Sequence, residues 1–172
     1  MRVRIGAMKS GELSRFEALL DEALPVASRV ARGLAGSENA EDLLAEAVAS
    51  ALTAFRSLRD ESRFTPWLLT IIRNCYRMML RRRRLCRVVP LEAAAGHTQS
   101  AANPGDEAWL DEVLAALRPA EREAVVLHYL EGFPVADAAR IARTNPGALN
   151  MRLARARKRL AELLTRRTND EK

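Results

Sequence analysis

Between Arg140 and Arg167 nine basic side chains stand against a single acid, Glu162, and five of them fall on one prospective helix. Guanidinium and ammonium groups at that density are suited to phosphate oxygens. Arg152, Arg155, Arg157, Lys158 and Arg159 fill the surface left by Leu149, Leu153, Ala156, Leu160 and Leu163. Those apolar residues recur at spacings of four, three, four and three, which makes one inward helical stripe. A second basic set runs from Arg73 to Arg87, with seven arginines and no acid. A third set has the opposite sign: Glu38, Glu41, Asp42 and Glu46, with no base between Glu38 and Phe55. Asp42 and Glu46, one turn apart, stand side by side. Two basic surfaces and one acidic surface imply two kinds of partner, against the plainer reading that all three are solvated faces.

The elements that must position these groups are helices. Gly132 suits a left-handed C′ position, and Pro134 suits the first turn of a helix whose small apolar face is Val135, Ala138, Ala139 and Ile141. Thr144 and Asn145 supply a turn and an N-cap before Pro146 at N1. The result is a helix-turn-helix whose second helix leads with small residues and trails with arginines, a geometry for entering a major groove. Earlier, Thr65 caps a helix with Pro66 at N1, in which Leu68, Ile71, Ile72, Cys75 and Met79 oppose the ridge Arg73, Arg77, Arg81 and Arg84. Asn39 caps a helix with Glu41 and Asp42 in its first turn, where carboxylates favour the macrodipole. Its inward face is Leu43, Leu44, Ala47, Val48, Ala51, Leu52 and Phe55. Glu12 to Leu34 gives one or two helices, interrupted or kinked near Pro25, and residues 57–65 form a polar loop.

Strand signals are almost absent, so the fold class is all-α. Residues 88–106 hold Pro90, Gly96, Pro104 and Gly105 without a sustained stripe and are expected to be a flexible linker. They divide the 172-residue chain into helical domains over 1–87 and 107–172, each with little core of its own. A net charge of +6 and a pI near 10.1 fit a polyanionic partner. Cys75 and Cys86 are the only cysteines, which suits a reducing cytosol. With His97 and His128 they lack metal-ligand spacing, so neither a metal nor another cofactor is expected. No apolar run approaches a membrane span, and the N-terminus lacks a signal-peptide core, so a cytoplasmic location is expected. No paired carboxylates, phosphate-binding glycine loop or activated nucleophile points to an enzyme.

With both halves in view, the chain resembles a bacterial sigma factor of the extracytoplasmic-function (ECF) type, over roughly residues 13–165. NAEDLLAEAV is similar to the family's acidic motif, usually close to DAEDLVQETF. FTPWLLTIIRNCYRMMLRRRR is similar to FRTWLYRIARNLAIDLLRRRR, matching at Phe64, Trp67, Leu68, Ile71, Arg73 and Asn74. LRPAEREAVVLHYLEGF and RLARARKRL are similar to LPPREREVLLLRYLEGL and RLHRARKRL.

The resemblance implies a region 2-like first domain and a region 4-like second one. Glu41, Asp42, Leu43 and Glu46 would dock on core RNA polymerase, through a coiled coil of its β′ subunit, with the β subunit also a partner. Arg59, Arg63, Phe64, Trp67, Arg73, Asn74, Arg77 and Arg81 would engage the −10 promoter element and its melted non-template strand. Gly147, Asn150, Met151, Arg152, Arg155, Arg157 and Lys158 would serve the double-stranded −35 element. The linker would run toward the transcript exit, an anti-sigma factor is an expected further partner, and polymerase would do the chemistry.

The sequence departs from the pattern in places. Ala45 stands where the family often has Gln, and Val48 and Leu52 where it has aromatics. Asn150, Met151 and Ala154 replace the usual base-facing residues, Arg143 a turn glycine, and Pro134 a helix-starting Ser. Asn150 can still read adenine and Met151 a thymine methyl. Two alternatives stay open: a sigma mimic that captures an anti-sigma factor, and a free helix-turn-helix regulator that binds DNA as a dimer.

Overall fold

The computed structural model describes residues 10–86 and 104–170, and every regular element among them is helical. Helix α1, Ser10–Ala35, buries Phe16, Ala23, Ala27, Val30, Ala31 and Leu34 along one face. It runs through Pro25 as one helix, where an interruption or kink was expected. Pro25 is exposed, as is Asp21, so the carbonyl left without an amide partner one turn earlier lies on the watered side.

Gly36, at φ +78°, ends α1 and opens α2, Ser37–Ala54. This corrects the capping role expected of Asn39. Asn39 lies inside the helix, its amide 3.4 Å from the Ala35 carbonyl, because the left-handed glycine had already turned the chain. The polar loop expected over 57–65 contains two 3-10 turns, Phe55–Ser57 and Glu61–Arg63. The second leads straight into α3, Phe64–Cys86, so Thr65 is not its cap. Asp60 does that work: its carboxylate accepts the Ser62 amide at 3.1 Å and the Ser62 hydroxyl at 2.6 Å. The hydroxyl bond is the main cause of a carboxyl held below its usual range, so this cap is present at neutral pH and lost as pH falls through that lowered value.

Phe16, Phe55 and Phe64 meet edge to face, with ring centroids 5.3, 5.6 and 6.2 Å apart, and lock the three helices together at the loop end. Each such pair adds about 0.5–1.5 kcal/mol beyond its burial.

The expected linker lies outside the described residues as far as residue 103, as does His97. Helix α4, Pro104–Ala115, starts inside the range assigned to the linker, with proline in its first turn. Helix α5, Pro119–Val125, widens into a π-helical turn, Val126–Leu130. Gly132, at φ +72°, closes it, and the Phe133 amide returns to the Leu127 carbonyl at 3.0 Å, as expected for a left-handed stop. Pro134 is the N-cap of α6, Val135–Ile141, one residue outside the first turn. Helix α7, Pro146–Asp170, is capped as expected: the Asn145 side chain accepts the Ala148 amide at 2.7 Å.

The two halves close on each other, α1 against α5 and α3 against α6. A Cβ at Gly33 would lie 2.8 Å from Val126 Cγ2, so glycine is what lets the Val126 side chain seat this closely on α1. Arg122 donates at 2.9 Å to the Leu34 carbonyl, satisfying the C-terminus of α1 from the other half. Asp111 satisfies the N-terminus of α2, accepting the Ser37 amide at 3.0 Å and its hydroxyl at 2.6 Å. Arg29 and Glu131 form a forked ion pair, closest at 2.8 Å.

Candidate nucleic-acid interface

The second half leaves one face of α7 open to solvent. Leu149, Leu153 and Ala156 are buried, and this anchors α7 on α5 and α6. Gly147, Asn150, Met151, Arg155, Arg157 and Lys158 are exposed on the other side, with Met151 more than half accessible. The helix-turn-helix carries one strained link. Arg143 holds φ +48°, a left-handed value that suits glycine, where the Thr144 amide bonds back to the Ala139 carbonyl at 2.9 Å. Behind the turn, Arg140 pairs with Asp137 at 2.6 Å, and His128 Nδ1 lies 2.8 Å from the Phe133 carbonyl. A carbonyl can only accept, so that nitrogen carries the proton.

The basic ridge of α3 is placed differently. Leu68, Ile72 and Cys75 are buried as expected, and burial pushes the Cys75 thiol upward in pKa. Leu69 and Tyr76 are also buried, on a side the ridge was expected to leave open. Arg73 and Arg77 turn toward Glu123 of α5, whose side chain is 0% exposed. Arg77 Nε donates to Glu123 Oε1 at 2.6 Å and its Nη2 to Oε2 at 3.3 Å, while Arg73 Nε lies 3.5 Å from Oε2. These two arginines therefore bind their own chain's carboxylate in this arrangement, which corrects the expectation of an outward ridge. Arg73 also reaches Asn74 Oδ1 at 3.2 Å. Burial is the main force lowering the Arg73 pKa, with Arg77 and Arg152 acting the same way and Glu123 opposing them.

Other expected contacts are distributed unevenly. Arg59, Arg63 and Arg81 are exposed. Phe64 is a core residue and positions the helix from inside. Trp67 packs on Phe64 with centroids 5.6 Å apart. With Leu58, Arg63 and Thr70 it walls an open cleft of about 350 Å³, faced from the second half by Phe133, Asp137 and Ile141. On α2, Glu41 and Asp42 are exposed, Leu43 is buried in the core, and Glu46 pairs with Arg82 at 3.2 Å.

Sequence reasoning missed the residues that join the halves: Arg29, Gly33, Asp111, Arg122, Glu131 and above all Glu123. One signal was available for the last. Glu123 stands one turn before Leu127 on the inward side of a short helix, where a carboxylate needs a cation beside it.

No described helix is long and apolar enough to cross a membrane. Residues 19–85 match the family of Sigma-70 region 2, and residues 107–160 match Sigma-70, region 4. The chain is 32% identical over 161 residues to the RNA polymerase sigma factor CarQ of Myxococcus xanthus, covering 91% of this chain and 92% of that one. It is 34% identical over 148 residues to the ECF RNA polymerase sigma factor EcfG of Rhodopseudomonas palustris, covering 83% and 81% respectively. Among solved structures it is similar to the sigma factor RpoE of Bartonella quintana in complex with the anti-sigma factor NepR. There the TM-score is 0.71 at 30% identity, over 87% of this chain and 96% of that chain.

Proposed function

The chain belongs to the ECF sigma factors of the sigma-70 family, and from that premise we propose how its surfaces divide the work. As an RNA polymerase sigma factor it directs core polymerase to promoters and initiates transcription, while polymerase itself makes the RNA. The exposed carboxylates Glu41 and Asp42, with Glu46 beside them, dock on the basic coiled coil of the β′ subunit. Leu43 supports that face from the core.

Helix α7 enters the major groove at the −35 element. Asn150 and Met151 face base edges there, and Arg155, Arg157 and Lys158 hold phosphates. Arg59, Arg63 and Arg81, with Trp67, Arg73, Asn74 and Arg77, serve the −10 element. There an extruded non-template base leaves the stack, and pocket contacts offset the cost of unstacking. A structural relative bound to an anti-sigma factor supports a like partner for this chain.

The observation that carries this reading is the exposed face of α7 behind a complete helix-turn-helix, on a chain whose other half presents exposed acids on α2. The test mixes the purified chain with core polymerase and a promoter library and sequences the run-off transcripts. Transcripts sharing −10 and −35 motifs are expected. Capture of an anti-sigma factor without transcripts supports the mimic, and sequence-specific binding without polymerase supports the free regulator. Asp42→Lys with Glu46→Lys should weaken association with core about tenfold or more, since like charges would face the basic partner. Unchanged association in a binding titration would remove the assignment of that face.

A further inference from the structure

Glu123 occupies the same donors that α3 would offer to nucleic acid. Nε and Nη2 of Arg77 are directed at its two oxygens, so the side-on fork of that guanidinium is already filled by a carboxylate where a phosphate would sit. Arg73 reaches the same carboxylate. Helix α6 lies across the neighbouring surface, so that Trp67 and Arg63 face Phe133 and Asp137 over the cleft. By contrast Glu41, Asp42, Asn150, Met151 and Arg155 are exposed in the same arrangement.

From this geometry we infer that Glu123 is an internal latch: it stands in for promoter phosphate on Arg73 and Arg77 and keeps the −10 surface shut until core polymerase is bound. The inference rests on the reading of α3 as the −10 helix and adds an order of events to it. Polymerase docks first on the exposed acids of α2, the halves part, and only then does α3 meet DNA.

The latch is built to be reversible. Taking three charged groups out of water costs much of what their attraction returns, so a buried ion pair of this kind sits near balance. Its charges are also uneven. Arg152 is close enough to bear on Arg73 and its Nη1 is buried with no hydrogen-bond partner among the described residues, where Glu123 is also the one acid that pairs with Arg73 and Arg77. Closure thus gathers two guanidinium groups about one carboxylate and brings a third, that of Arg152, near enough to repel Arg73. Remove the negative charge and the closed form confines cations with nothing to offset them. The supporting contacts, Gly33 on Val126, Arg122 on the Leu34 carbonyl, Asp111 on Ser37 and Arg29 on Glu131, hold the halves in register but touch neither α3 arginine.

Two variants of the full chain test this without polymerase. Glu123→Gln keeps the shape and removes the charge. Gly33→Ala places a methyl against Val126 and pries the halves apart without altering any charge. Small-angle X-ray scattering reports opening, circular dichroism reports that the helices persist, and anisotropy of fluorescein-labelled oligo(dT) reports access to α3. Both variants should expand and bind oligo(dT) about tenfold more tightly than the native chain, because closure lowers apparent affinity by the fraction of molecules that are open. If either variant expands with its helicity intact yet binds no tighter, or if Glu123→Gln keeps its helices and stays compact, the latch is refuted. Should one variant lose helicity, the other decides alone, and loss in both places the contacts in folding and refutes a switch.

Run-off transcription by native chain with core polymerase separates this from the parent reading. Transcripts with unaltered oligo(dT) binding in the variants sink the latch alone. Tighter binding with no transcripts from the native chain sinks the sigma assignment while leaving the latch standing.

Discussion

Helices α3 and α7 both set arginines at helical pitch against an apolar stripe, yet they meet their surroundings in opposite ways. On α7 Arg155 and Arg157 face water while Arg152 turns its Nη1 inward, and the groups beneath the exposed pair are Leu149, Leu153 and Ala156. On α3 the upper arginines are covered by the other half and bound to its buried Glu123, while Arg81 lower down is free of that cover. The contrast teaches that a basic stripe reports an appetite for anions and says nothing about which anion satisfies it. Where a chain supplies its own carboxylate at the right height, that one is already in place and a phosphate must displace it.

The contrast can be broken most severely on the α7 side. Leu149 is fully buried, and Leu149→Ala should cost about 4 kcal/mol through lost burial and the cavity left behind. Duplex binding should fall with it, and a urea melt followed by circular dichroism reads the loss. A cost near zero would mean that α7 is not held by that stripe.

On the α3 side, Arg77→Ala leaves Glu123 with Arg73 alone. Breaking a fully buried pair costs about 3–5 kcal/mol, but Arg77 is 36% exposed and one partner remains, so about 2 kcal/mol is expected. The same melt measures it, and an unmoved midpoint would show that the ion pair carries no weight.

Salt dependence sharpens the difference without unfolding anything. In the free chain, Arg155→Ala should lower the log–log slope of DNA affinity against salt by about 0.9, the yield of one phosphate contact. If Arg155 reads a base instead, the loss should concentrate at one promoter position and reach about 1–3 kcal/mol. The smallest effect is expected at the turn. Arg143→Gly relieves a left-handed backbone but adds freedom to the unfolded chain, for a net gain of about 0.5 kcal/mol. A lowered melting temperature would contradict the strain.

The features that local chemistry dictates were legible in the sequence. Asn145 and Gly132 announce a cap and a stop by residue type alone, and the four-three spacing from Leu149 marks the face that α7 buries. The paired acids of α2 and the exposed Asn150, Met151 and Arg155 of α7 stand where helical periodicity puts them. Boundaries slipped by a few residues where a neighbour outcompeted the expected cap, Gly36 for Asn39 and Asp60 for Thr65. Closure between the halves was not legible, because it depends on contacts across long separations. Arg77 to Glu123 spans 46 residues and Arg29 to Glu131 spans 102. No periodicity carries such information. Two hints were nonetheless present: Leu69 and Tyr76 form a second apolar line on α3 seven residues apart, and Glu123 is a carboxylate on an inward face.

The most direct test asks whether α3 exchanges Glu123 for promoter DNA on the polymerase. Hydroxyl-radical footprints would be taken on a promoter selected from the library, with holoenzyme carrying either the native chain or the Arg73→Ala, Arg77→Ala variant. The native complex should protect both the −35 and −10 elements, and the variant should keep the first while losing the second. Equal protection of the −10 element by both complexes would contradict the account.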